Sequence, residues 1–375
     1  MTRSRTTAPK HHEVFTTLLK EIQDGQWQEG QRLPSEAQLT ERFGLSRITV
    51  GRALRDLQAA GVITRRAGAG SFVSRHSEPT GARSFGVLIA DIAETEIYEA
   101  ICRGMMASPL AQEHALLFGS SSRDLPSGDA ARRDERAWHL CQQYIEREVD
   151  GVFFAPVSTL VEPDDVNHRI VRALDAAGIP VVLLDRPVTN YPDPGWHDLV
   201  GIDNRRAGYM MTMHLLDRGA KRTIFFRRPN SAPTVDARES GYRQALNTRG
   251  ILPQAFAARL DPDDGGAVRA MLDAERPDAI VCSSDRTAAR LMHTLLRLGV
   301  RIPQDVRMVG IDDVEYASLL PVPLTTLRQP TLELGVVALS MMLTRVAHRD
   351  LPARDTRLRC EMVVRESCGP APDPV

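Results

Sequence analysis

Apolar Val14, Phe15, Leu18, Leu19 and Ile22 recur at intervals of three and four between His11 and Asp24, and Gly25 ends the run. That period places them on one face, so the stretch predicts an amphipathic helix. GQRLPSEAQLTERFG then supplies a turn, Ser35 with Gln38 three residues on, and a stop at Gly44. Ser35 and Gln38 have the spacing of a capping box, in which a hydroxyl and a side-chain amide satisfy backbone N–H groups reciprocally, so a short second helix is expected. Ser46 caps a third helix, with Val50, Ala53, Leu54 and Leu57 facing inward and Gly61 closing it. VITRR and GSFV are strand-like runs joined by AGAG, whose small residues can bend back tightly.

After the polar stretch SRHSEPTGARS, at residues 74–84, the pattern changes. That stretch has no apolar period and contains Pro and Gly, so it reads as a linker. FGVLIAD, ALLFG, GVFFAP and IPVVLLD are continuous apolar runs separated by helical stretches such as 130–148 and 166–177. Runs apolar on both faces that alternate with helices predict a parallel sheet covered on both sides. The alternation is expected to start again with DLVGID, then a helix around Tyr209 to Leu216, RTIFF, a helix through Tyr242, DAIVCSS, a helix from Thr287 to Leu298, and VRMVGID. Two doubly wound lobes follow, with Asp185, Ser284, Asp285 and the pair Asp312 and Asp313 at strand ends that border one crevice.

The net charge of −1 hides an asymmetry: 12 Lys and Arg stand against 8 Asp and Glu up to residue 80, leaving 35 against 40 beyond it. A basic head on an acidic body suits phosphate binding by the head alone. No apolar run approaches the roughly 20 residues a bilayer requires, and MTRSRTTAPKHHEVF lacks the apolar core of a signal peptide, so a cytoplasmic protein with no membrane partner is expected. Cys102, Cys141, Cys282, Cys360 and Cys368 include no CxxC pair, which predicts reduced, packed thiols and no metal site. The pair His11 and His12 is taken as a solvated helix start.

Three helices and a two-stranded ribbon make a winged helix-turn-helix, whose third helix can enter a major groove. The stretches LPSEAQLTERFGLSRITV and GVITRRAGAGSFV resemble the head of the GntR family of bacterial repressors. The resemblance implies that Ser46, Arg47 and Thr49 open the recognition helix and that Gly68, Gly70 and Ser71 lie at the wing tip. Ser35, Arg52, Arg65 and Arg66 complete the candidate DNA-binding set. Two departures stand out: many relatives carry Arg where this chain has Ala37 and Gly51. Arg52 is adjacent to Gly51 but about 100° further round the helix, so it reaches a different phosphate or base.

Roughly from residue 85 to 367 the chain resembles the effector-binding body of LacI/GalR repressors, itself similar to periplasmic sugar-binding proteins. PDAIVCSSDRTAARLMHTLLRLGVRIPQDVRMVGIDDVEYASLLPVPLTTLRQP carries most of the match, with VVLLDRP and DARESGYRQAL in support. The resemblance implies ligand contacts from Asp185, Arg186, Arg238 and Asp312, and from Ser284 and Asp285 where relatives have an SND-like motif. Tyr98 is the stacking candidate, since the loop after the first strand lacks the family's aromatic pair. Carboxylates accept from sugar hydroxyls, and a guanidinium donates two parallel bonds to vicinal oxygens. The pairing of head and body is similar in architecture to that of arabinose repressors of Gram-positive bacteria, which implies shared architecture and not a shared ligand.

The fold expected is therefore α/β: a winged helix-turn-helix over 1–74, a linker over 75–84, a two-lobed periplasmic-binding-protein-like domain with two doubly wound parallel sheets over 85–367, and a tail over 368–375. Catalysis and cofactors are not expected, because GxSxG, HExxH, GxGxxG after the first strand and GxxxxGK[ST] are all missing. An aminotransferase body would need a Schiff-base lysine, and the body offers only Lys221, in a turn before a strand. The expected partners are double-stranded operator DNA, a small polar effector of carbohydrate type and a second copy of the chain. The alternative is a solute-binding module without DNA-binding activity.

Overall fold

The computed structural model describes residues 10–370 except 24, 29, 60–61, 67–68, 74–81, 90–95, 120–129, 158–164, 190–191, 194, 230 and 252–256. The head consists of α1 (Lys10–Gln23), α2 (Glu36–Phe43), α3 (Arg47–Ala59), β1 (Ile63–Arg66) and β2 (Gly70–Val73). The capping box forms as expected: the Ser35 hydroxyl accepts from the Gln38 N–H, and the Gln38 side chain accepts from the Ser35 N–H at 2.9 Å. Gly44, with φ of 62°, takes the left-handed turn that ends α2. Val14, Phe15, Leu18 and Leu19 meet Leu39, Val50, Ala53, Leu54 and Leu57 in a fully buried core. Strands β1 and β2 pair antiparallel from Ile63 opposite Val73 to Arg66 opposite Gly70. Residues 60–61 and 67–68, which include the expected Gly61 helix stop and the tip glycine Gly68, lie outside the described residues.

The body continues through β3 (Ser84–Ile89), α4 (Glu96–Ala107), β4 (Ala115–Phe118), α5 (Ala130–Glu146), β5 (Gly151–Ala155), α6 (Val166–Ala176), β6 (Val181–Leu184) and β7 (Asp198–Ile202). Next come α7 (Asn204–Asp217), β8 (Thr223–Arg227), α8 (Pro233–Thr248), β9 (Ala257–Arg259), α9 (Gly265–Glu275), β10 (Ala279–Cys282), α10 (Asp285–Arg297) and β11 (Arg307–Asp312). The last elements are β12 (Thr325–Arg328), α11 (Thr331–Ala347), β13 (Asp355–Leu358) and β14 (Glu361–Val363). Two six-stranded sheets form, in the orders β13-β7-β6-β5-β3-β4 and β14-β12-β11-β10-β8-β9. Among the described residues every strand pair in these two sheets is parallel except β12 with β14.

The second lobe does not begin where the apolar alternation restarts. DLVGID forms β7, which pairs with β6 in the first sheet, and the chain crosses between lobes only after Ile202. It crosses back after β12, when α11 packs beneath the first sheet, and again between β13 and β14. Three crossovers thus connect the lobes. Strand β7 is buried at every position, and such a run reads the same in either sheet, so alternation alone does not reveal where one sheet ends.

Glycines set the helix crossings. A Cβ on Gly208 would run into the Arg238 carbonyl, and one on Gly241 into the Arg205 carbonyl and within 2.7 Å of the Tyr209 nitrogen, so α7 and α8 pack backbone to backbone. Gly104 and Gly335 stand in the same relation across α4 and α11. Buried charge fastens the C-terminal segment to the first lobe: Arg345 and Arg354 both grip Asp198, whose side chain is fully buried. Two boundaries shift slightly. Strand β3 already begins at Ser84, and the packed body runs past residue 367 to the fully buried Cys368. No helix among the described residues is long and apolar enough to cross a membrane.

Candidate DNA-reading surface and ligand cleft

The opening turn of α3 presents its polar side chains to solvent. Ser46 caps the helix, accepting from the Thr49 N–H at 3.3 Å, and its hydroxyl lies 2.8 Å from that of Thr49. Arg47 projects outward with its side chain 80% exposed. Glu36, the first residue of α2, bridges the two reading elements: its carboxylate takes Arg47 Nε at 3.3 Å and Arg65 Nη2 at 2.5 Å. Recognition helix and wing are thereby held in register. The sequence offered no signal for this role, because an acidic residue in the first turn of a helix is explained by the helix dipole alone.

The remaining head candidates divide. Arg66 lies over the Phe72 ring at 5.2 Å from its centroid, along the ribbon. Gly70 adopts φ of 111° in the turn into β2, while Ser35 spends its hydroxyl on the capping box. Ser71 is a correction: it is buried, because alternation along β2 turns it inward, and its carbonyl takes the Leu33 N–H at 2.9 Å. Arg52 leans towards the body, donating to the Arg359 carbonyl at 3.4 Å on the third crossover. His11 is a second correction, being buried with Nε2 3.8 Å from Glu333 on α11 instead of solvated. At this head–body contact burial pushes the Asp56 carboxyl up to about 6, against the pull of Arg52.

In the first lobe Asp185 follows β6 with φ of 71°, a turn made room for by Gly201, whose Cβ would sit 2.9 Å from the Asp185 carbonyl. Tyr98 Oη donates to Asp185 Oδ2 at 3.4 Å, and Arg186 Nη1 approaches the same oxygen at 3.5 Å. Arg186 also donates through Nε to the Pro156 carbonyl at 2.9 Å. Tyr98, Asp185 and Arg186 therefore form one buried cluster, and Tyr98 departs from the stacking role expected of it: it is only 3% exposed and bonds through its hydroxyl.

In the second lobe a further polar cluster forms around α8. Arg238 donates through Nε to Asn204 Oδ1 at 2.8 Å and through Nη1 to the Ser283 carbonyl at 2.6 Å, with Nη2 4.0 Å from Asp312 Oδ1. Asp312, with φ of 125°, also accepts from Gln329 Nε2 at 2.7 Å. Asn204 and Gln329 were not singled out from the sequence, yet they follow directly on the first two crossovers and orient the two charged groups. Cys360 lies on the third crossover, and burial pushes its thiol up while the charges of Arg238, Asp312, Arg52 and Asp203 all reach it.

Asp285 departs from its expected role as a ligand contact. It is fully buried, accepting from Thr326 Oγ1 at 2.6 Å and the Val314 N–H at 3.2 Å. Burial, reinforced by nearby Asp312, pushes its carboxyl up to about 8. It braces the turn at Asp312 and Asp313, both with positive φ. Ser284 caps α10 by accepting from the Thr287 N–H at 3.2 Å. Among the described residues no group of three or more His, Cys, Asp or Glu is placed to hold a metal ion.

Comparison with known proteins matches two segments of the chain. Residues 10–73 match bacterial regulatory proteins of the gntR family, and residues 212–368 match a periplasmic binding protein-like domain. The arabinose metabolism transcriptional repressor of Geobacillus stearothermophilus is 27% identical over 374 residues, covering 96% of this chain and 98% of the relative. The ribose operon repressor of Escherichia coli K12 is 24% identical over 302 residues, covering 79% of this chain and 86% of the relative. A LacI family transcriptional regulator from Enterococcus faecium, solved with bound ribose, aligns with a TM-score of 0.61 at 24% identity, over 77% of this chain and 99% of that one. Structural likeness at that identity establishes the two-lobed fold.

Proposed function

We propose that this chain, whose residues 10–73 match the gntR family and whose residues 212–368 match a periplasmic binding protein-like domain, is a DNA-binding transcriptional repressor controlled by a small polar ligand held between the two lobes. The observation that carries the reading is the pairing, in one chain, of an exposed Arg47 on a winged-helix recognition helix with a buried Arg238 set beside Asp312 at the end of β11 in a two-sheet body. A sugar or sugar derivative is the ligand class that suits this chemistry: carboxylates accept from hydroxyls, while the N–H groups of Arg238 not bound to Asn204 or Ser283 donate to vicinal oxygens. The repressors and the ribose-bound regulator it resembles support the same class. No catalytic step enters this reading, and the protein acts in the cytoplasm, where its DNA lies.

Ligand and DNA are coupled through geometry. Asn204 and Gln329 connect Arg238 and Asp312 to two crossovers, and the head rests on the third through Arg52 and the Arg359 carbonyl. A ligand that closes the lobes shifts the segment on which the head rests, so ligand and operator favour different arrangements of the heads. A palindromic operator calls for a homodimer, since half-site symmetry in DNA mirrors two-fold symmetry in the protein.

The test is gel retardation of duplex DNA across a salt series, repeated with pentoses, hexoses, uronic acids and sugar phosphates. Salt-sensitive retardation that one sugar class alters supports the reading. A protein that binds a sugar but no duplex is a solute-binding module instead, and a monomer by sedimentation on operator DNA refutes the homodimer.

A further inference from the structure

Ile48 is the second residue of α3 and is 82% exposed, between Arg47 and Thr49. The inward face of the helix is filled by Val50, Ala53, Leu54 and Leu57, and Ile48 sits about 200° round from Val50. Its polar neighbours bond in part within the head, Ser46 to Thr49 and Arg47 through Nε to Glu36, while the Arg47 side chain stays 80% exposed. A β-branched apolar residue is also a poor choice for an exposed helix start, where polar and acidic side chains stabilise the N-terminal N–H groups. Its placement is explained by a surface that covers it.

We propose that Ile48 reads the 5-methyl group of a thymine in the operator major groove. This rests on the DNA-binding reading above and extends it to a specificity-determining residue. N-terminal residues of a recognition helix are the ones that reach base edges, and the thymine methyl is the apolar feature the major groove displays. Arg47 is adjacent on the same turn, its side chain 80% exposed, so the negatively charged groove is drawn to the surface where Ile48 stands. Together they read two features of one short base step: an acceptor edge by Arg47 and a methyl by Ile48.

The experiment selects an operator from random duplexes with the full-length protein, then replaces each thymine singly by deoxyuridine, which deletes only the methyl. The expected result is one position per half-site at which deoxyuridine weakens binding about fourfold, the equivalent of ~0.8 kcal/mol for one methyl-sized group. Ile48→Ala, which removes an exposed side chain and suits a helix better, should bind the thymine operator more weakly and show no deoxyuridine penalty at that position. Two results overturn the proposal while leaving the function standing: no deoxyuridine penalty in the parent protein, or one undiminished in Ile48→Ala. Failure to retard any duplex overturns the function reading, and this proposal with it.

Discussion

Replacing Arg238 by Lys tests the cleft while keeping its positive charge. The guanidinium donates to Asn204 at 2.8 Å and to the Ser283 carbonyl at 2.6 Å, and Nη2 lies 4.0 Å from Asp312 Oδ1. An ammonium on a flexible stem cannot make those bonds and also offer a planar fork, so the variant gives up at least one charge-assisted bond to the ligand, about 1.5–3 kcal/mol. That corresponds to a dissociation constant roughly 10- to 150-fold higher. The assay is thermal unfolding with the sugar that gives the largest shift in the panel, at about 100 times the parent dissociation constant, where ligand adds about 2.7 kcal/mol to the native state. A variant weakened 100-fold gains only about 0.4 kcal/mol at the same concentration. Loss of the Asn204 and Ser283 bonds also lowers the unliganded midpoint, so each protein is compared with its own ligand-free scan. An unchanged ligand-induced shift in Arg238→Lys, with Asp185→Asn abolishing it, refutes the placement of Arg238 in the site.

Arg47→Ala should weaken operator binding by about 1–3 kcal/mol per half-site in gel retardation and leave the sugar-induced thermal shift intact, the reverse of Arg238→Lys. Asp285→Asn mimics the neutral carboxyl and should match the parent only below about pH 4, where the unfolded carboxyl is protonated too. Because folding raises the Asp285 value to about 8, the parent loses stability as pH climbs from the ordinary carboxylate range towards 8, and above 8 the variant should lead by about 1 kcal/mol or more in thermal scans. Gly241→Ala should destabilise by about 3 kcal/mol, at the upper end for overpacking, because backbone atoms of Arg205 and Tyr209 block the new methyl. It should also weaken sugar binding, measured by the same shift, since Arg238 lies one turn earlier on α8.

What the chain alone determined is local. The caps at Ser35 and Ser46, the αL stop at Gly44, the amphipathic face of α1 and the doubly buried strands were all legible, because each depends on residues within about one turn or one strand of its neighbours. Strand ends likewise put forward Asp185 and Asp312 as candidates, while Arg238, inside α8, came only from the resemblance. Tertiary structure decided the rest. It assigned β7 to the first sheet, gave Glu36 its bridge to Arg65 across 29 residues, and buried Asp285 against Thr326 across 41. It also turned Ser71 inward, set His11 beside Glu333, and left Ile48 exposed where DNA can cover it. A side chain's partner across the fold leaves no periodicity along the chain: a buried strand reads alike in any sheet, and a carboxylate reads alike whether it meets a sugar, an arginine or the protein's own backbone.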